Sequence, residues 1–235
     1  MASQLHFEFR SHGGPRRGAG RKPAGARPGV SHRGREAFAS RHPVHVTQKL
    51  VEGLPSLRAC AERRVIWDAL GSACFQDGFR IVHFSVQRDH LHLIVEADGA
   101  RPLGRGMQTT KVRIARGLNR LWARSGRVFA DRYHTHVLRT PREVRNTLCY
   151  VLQNHRKHGE PITAPIDTFS SAPWFDGFAA TLWCGPIVSL FPPVAEAQTW
   201  LLSTGWRRHG PIWLDEVPGP PPAKRRRSAP AHPSA

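Results

Sequence analysis

Apolar and polar residues alternate along Val44-His45-Val46-Thr47-Gln48-Lys49-Leu50-Val51, the period of a strand with one buried face. Gly53 and Pro55 close that run. Ser56 is a candidate cap for a helix over 57–75, with Leu57, Cys60, Val65, Leu70 and Cys74 among its apolar positions. Asp77-Gly78 turns the chain into a second strand over 79–86, and residues 87–89 join it to a third over 90–97, which makes a hairpin. Gly104 and Gly106 lead into a second helix over 107–124, ended by Ser125-Gly126. A fourth strand covers 129–138. Thr140-Pro141 then opens a third helix with threonine at the cap and proline in the first turn. That helix turns Val144, Leu148, Val151 and Leu152 inward, and Gly159 stops it.

The order β-α-β-β-α-β predicts an α+β fold of the ferredoxin-like kind, an antiparallel four-stranded sheet with two helices on one face. The third helix is an addition to that core. Outside it the pattern weakens. Residues 1–42, centred on Arg16-Arg17-Gly18-Ala19-Gly20-Arg21-Lys22-Pro23, are too poor in apolar residues to fold alone and read as a flexible basic arm. Residues 161–217 carry scattered tryptophans, with Leu201 and Leu202 marking a short helix, and read as an accessory segment. Residues 218–235, with Lys224-Arg225-Arg226-Arg227, read as a disordered basic tail. The domain proper is expected over 43–160.

The charge points to a partner. Among 235 residues, 35 Lys+Arg stand against 17 Asp+Glu, a formal net charge of +18, and most of the basic residues are arginine. Arginine binds phosphate bidentately and stacks on bases, so a nucleic acid is the expected ligand. A ribosome-associated or merely basic protein is the plainer alternative. Cys60, Cys74, Cys149 and Cys184 form no C-x-x-C pair, which speaks against a zinc ribbon or a disulfide framework and for a reducing cytoplasm. No apolar run has the length of a membrane span or the form of a signal peptide.

Candidate chemistry sits in Arg88-Asp89-His90-Leu91-His92-Leu93-Ile94-Val95-Glu96. Alternation along the strand sends His90 and His92 to one face, a half-site for a divalent metal. On the third helix Tyr150, Gln153 and Asn154 are spaced i, i+3 and i+4 and share a face. If that face covers the histidine strand, an amide oxygen completes the site beside a tyrosine hydroxyl, and a phosphodiester is its natural substrate. Each piece also has a plain reading. A His-x-His arises by chance among 14 histidines, Tyr150 can pack its ring in a core, and Asn154 can cap a helix end. Tyr133, on the fourth strand, reads as structural.

His90-Leu91-His92 resembles the histidine-hydrophobic-histidine (HUH) motif of IS200-like single-tyrosine DNA transposases, and Tyr150 within Leu148-Cys149-Tyr150-Val151-Leu152-Gln153-Asn154 resembles their tyrosine helix. The asparagine after it is most similar to the REP-associated tyrosine transposase branch. The resemblance spans roughly residues 43–160 and includes Gly126-Arg127-Val128-Phe129-Ala130-Asp131-Arg132-Tyr133. It implies the same ferredoxin-like fold and Mg²⁺- or Mn²⁺-dependent cleavage of single-stranded DNA that carries hairpins, leaving a 5′-phosphotyrosine and a free 3′-OH. It further implies His90, His92 and Asn154 as metal ligands and Tyr150 as nucleophile. The IS200 group has glutamine at the last ligand position, and Gln153 stands one residue away from it. The same resemblance implies a bacterial cytoplasmic, nucleoid-associated protein, with a monomer favoured and a dimer that exchanges the tyrosine helix as the alternative.

Between Arg101 and Arg145 the chain has twelve Lys/Arg and two acidic residues. Arg105, Lys111, Arg113, Arg116, Arg120 and Arg124 are the candidate DNA-tracking residues, with a solvated helix face as the alternative. Two other functions compete: a domesticated relative that binds structured nucleic acid without catalysis, and a relaxase or replication initiator. The single candidate tyrosine and the short domain count against the latter.

Overall fold

The computed structural model describes residues 37–157, 165–179 and 192–217. The arm around Arg16–Pro23, Gly159, Trp183, Cys184 and the Lys224–Arg227 run lie outside them.

Five strands form one antiparallel sheet in the order β2-β3-β4-β1-β5: β1 (Val44–Lys49), β2 (Phe75–Gln76), β3 (Phe79–Val86), β4 (His90–Ala97) and β5 (His134–Val137). Without the two-residue β2 this is the strand order expected of a ferredoxin-like βαββαβ unit. Pairing of β1 with β4 opposes Val46 to Leu93 and Thr47 to His92. The sheet therefore sorts its side chains strictly. Val44, Val46, Leu91, Leu93 and Val95 enter one core with Ile66 and Leu70 of α1 (Cys60–Gly71) and with Leu103, Met107, Ile114 and Leu118 of α2 (Ala100–Leu121). His45, Thr47, His90, His92 and Ile94 point the other way.

That second face is covered by α3 (Pro141–Leu152), whose Val144, Leu148, Val151 and Leu152 form a separate core with Ile94, Val82, Trp206 and Ile212. The register slips between Ile81 and His83 of β3, and this bulge puts Val82 and His83 in succession on the second layer before Phe84 returns to the first core. Thr140 caps α3 through a full capping box. Its hydroxyl accepts from Glu143 N, and the Glu143 carboxylate accepts from Thr140 N, a device worth about 1 kcal/mol.

Several boundaries differ from the expectation. The first helix starts at Cys60 and ends at Gly71, and Ser56 accepts from Arg58 N in the preceding turn and does not cap it. Phe75 and Gln76 leave the helix to pair with β3 as β2. The second helix begins at Ala100, so Gly104 and Gly106 lie inside it. Gly106 is there because a Cβ would stand 2.2 Å from the Phe79 ring: its absence lets helix and sheet touch. The fourth strand shrinks to His134–Val137, while Phe129 keeps an isolated bridge to Leu50. The third helix breaks at Gln153 and resumes as the single turn α4 (Asn154–Lys157).

The accessory segment is tied to the second layer at two points. The buried Glu96 carboxylate receives Arg80, the backbone N–H groups of Gln198 and Thr199, and the Thr199 hydroxyl, just ahead of α5 (Trp200–Ser203). Arg145 of α3 grips the carbonyls of Gly210 and Pro211 and both oxygens of Glu216. Among the described residues no helix is long and apolar enough to cross a membrane.

Candidate active site

The site lies on the second face of the sheet, where α3 crosses β3 and β4. His90 and His92 stand side by side at the head of β4, ring centroids 4.8 Å apart and planes perpendicular. The Tyr150 hydroxyl comes down from α3 to 3.5 Å from His92 Nε2, and the two rings meet edge to face at 5.1 Å. The helix stripe carrying Tyr150 thus does cover the histidine strand.

Each imidazole is oriented through Nδ1. Asp89 Oδ1 lies 2.7 Å from His90 Nδ1. Burial alone would raise the Asp89 carboxyl. The His90 bond and charge, with the Lys49 ammonium, outweigh it and hold the group below its usual value. His92 Nδ1 contacts His45 Nε2 at 3.1 Å and Thr47 Oγ1 at 3.2 Å. With Nδ1 engaged in both rings, Nε2 is the nitrogen that suits a metal. His45 itself is held neutral: burial, then repulsion from His136 across the strand pair, push its pKa down to about 4.

The two amides on the helix break differ sharply. Gln153 Nε2 donates to Trp213 O at 2.7 Å, and its Oε1 accepts from Arg156 Nε at 3.2 Å. Asn154, with no exposed surface, has neither Oδ1 nor Nδ2 paired among the described residues. A buried unpaired amide costs about 1–3 kcal/mol, so Asn154 is the amide with capacity for a ligand and Gln153 is a clamp on the accessory segment. Among the described residues no three His, Cys, Asp or Glu cluster in a metal-holding arrangement. Imidazole suits divalent transition metals and an amide oxygen suits Mg²⁺ or Mn²⁺, so a set of these donors would be compatible with a divalent cation.

Positive charge is present nearby. Lys157 Nζ lies 4.9 Å from the centre of the Tyr150 ring, and Lys49 pairs with Asp89 at 3.8 Å. The helix arginines are elsewhere. Arg105, Arg113, Arg116 and Arg120 are on α2, and the last three line a groove against Val65 and Asp68 of α1. That surface is on the other side of the sheet from Tyr150. Lys111 does not join it: it donates to Asp131 O and lies over the Phe129 ring. Arg124 is likewise engaged, by Asn119 Oδ1 and Arg127 O. Tyr133 is buried in the first core.

Sequence reasoning missed His45 and Thr47. The signal was present in the alternation of the first strand, which sends both off the core face, but linking them to His92 needs the β1–β4 register.

No protein-family model matches the chain, and no curated protein matches it. Among solved structures it is similar to a REP-associated tyrosine transposase bound to a REP hairpin, at 17% identity and a TM-score of 0.48, over 60% of this chain and 82% of that one.

Proposed function

We propose that the protein is a metal-dependent single-strand DNA transposase or endonuclease that cleaves and rejoins hairpin-containing DNA through a 5′-phosphotyrosine. The observation that carries this reading is the Tyr150 hydroxyl 3.5 Å from His92 Nε2, on the face where His90 stands alongside. The hydroxyl end of Tyr150 is aimed at the imidazole pair. The Asn154 amide, buried and without a partner among the described residues, supports the reading, because a bound ion is one way such a group is satisfied.

His90, His92 and Asn154 would hold Mg²⁺ or Mn²⁺, which when bound neutralises phosphate charge and orients the phosphate oxygens. Tyr150 supplies the nucleophile. Its oxygen bonds to phosphorus, the bond from phosphorus to the 3′ oxygen breaks, and the phenolic proton lost is balanced by the one the 3′-OH gains. Attack by another 3′-OH reverses the step and rejoins strands at no net cost in phosphodiester bonds. Asp89 keeps the His90 ring oriented, and Lys157 and Lys49 bring positive charge towards the DNA backbone. The arginine row of α2 serves as a second phosphate track, in keeping with the net charge of +18.

The test is incubation of the full-length chain with a labelled single-stranded hairpin library and Mn²⁺, read on a denaturing gel. A covalent adduct is expected that needs the metal and is lost in Tyr150→Phe. Tight hairpin binding with no adduct would instead identify a nucleic-acid-binding relative without catalysis.

A further inference from the structure

When an imidazole ligates through Nε2, its Nδ1 carries the proton and needs an acceptor, and the identity of that acceptor sets ring orientation and basicity. For His90 the acceptor is the Asp89 carboxylate at 2.7 Å. The Nδ1 of His92 faces β1 instead, where the antiparallel register opposes Thr47 to it and puts His45 on the same sheet face two residues away. The His45 ring stacks on His92 at 5.2 Å with 27° between planes, and its Nε2 reaches His92 Nδ1 at 3.1 Å. The same ring meets Tyr150 edge-on at 5.8 Å. His45 therefore touches both the candidate ligand and the candidate nucleophile from the β1 side of the pair.

We propose that His45 is a positioning residue that accepts the Nδ1–H of His92 and thereby fixes the tautomer in which His92 Nε2 presents its lone pair beside Tyr150. His45 is then to His92 what Asp89 is to His90, a neutral acceptor in place of an anionic one. Thr47 Oγ1, at 3.2 Å, backs it. A hydroxyl can rotate to donate as readily as accept, so Thr47 alone does not specify the tautomer. This role of His45 rests on the metal-binding reading of His90 and His92, and its test separates the two.

The measurement is Mn²⁺ affinity of the full-length protein at neutral pH, by electron paramagnetic resonance titration, with thermal unfolding of each variant alongside. His45→Ala should weaken Mn²⁺ binding about 10–100-fold, the usual effect of losing such a partner. His45→Phe keeps a stacked ring and removes the acceptor, so it should weaken binding similarly, and it serves where the alanine variant does not fold. His45→Gln, whose amide oxygen can stand where Nε2 stands, should restore affinity to within a few-fold of the parent. Wild-type-like Mn²⁺ affinity in a folded His45→Phe protein overturns the role of His45 and leaves the metal site intact. No Mn²⁺ binding by the parent chain overturns the metal reading itself, and the role of His45 with it.

Discussion

Gln153 gives its side-chain N–H to the carbonyl of Trp213 at 2.7 Å, while Asn154, the very next residue, buries an amide with no partner among the described residues. Neighbouring amides with opposite fates assign structure to the first and capacity to the second. Asn154→Leu, which removes the unpaired group at similar volume, should leave the fold as stable as the parent or about 1 kcal/mol more stable. The same variant should lose Mn²⁺ affinity and adduct formation. A urea titration beside the metal titration checks both halves, and a clear loss of stability would count against an unpaired amide.

Gly104 and Gly106 lie two residues apart in α2 and should respond oppositely to alanine. A Cβ at Gly104 meets nothing within 4 Å, so Gly104→Ala should stabilise by about 0.5–1 kcal/mol through helix propensity. At Gly106 the added methyl collides with the Phe79 ring, and overpacking of about 1–3 kcal/mol outweighs that gain. Chemical denaturation of the two single variants decides it.

Acid should destabilise the protein through two half-buried histidines. Burial pushes His45 and His83 each down to about 4, with His136 repulsion adding to the effect at His45 and attraction to Asp176 opposing it at His83. Their folded-state pKa values lie below the unfolded value of 6.5, so between those limits the unfolded chain binds more protons. Stability is then full above the unfolded pKa and falls as pH drops towards 4, by at most about 1.4 kcal/mol per pH unit for each histidine. His83→Phe should flatten the pH dependence of the urea midpoint over that window.

Arg113→Ala with Arg116→Ala should weaken DNA binding by the same factor for every sequence. The slope of log K against log salt should fall by about 0.7–0.9 for each phosphate these arginines no longer neutralise. Tyr150 adduct formation at saturating DNA should be unchanged, because these side chains lie across the sheet from the site. An unchanged salt slope would leave the arginine row as a solvated face.

Much of this was legible in the chain. The alternation of β1, β3 and β4 carries the sheet, and Thr140-Pro141 marks the start of the tyrosine helix to the residue. His90, His92 and Tyr150 meet as their spacing suggests. What failed did so for identifiable reasons. Glycines usually mark helix ends, and Gly104 and Gly106 were misleading because one of them serves a contact with Phe79 that only the tertiary fold creates. The break at Gln153 is hidden because apolar spacing runs on through Val151 and Leu152 to the end of α3. Lys111 shares a helix with the arginines, yet at about 100° per residue it falls on a different side from Arg105, Arg113, Arg116 and Arg120. His45 needed a strand pairing 47 residues apart in sequence.

The two cores are also ordered along the chain. Every β-strand and both helices of the first core lie within residues 44–137, whereas the second core draws on Leu138, α3 and residues as late as Ile212. During synthesis, where domains form as their residues emerge, the histidine face can be laid down before the tyrosine that meets it has left the ribosome. A truncated product ending before α3 would then carry the imidazole pair without Tyr150, so the two histidines gain their tyrosine neighbour only with the later part of the polypeptide.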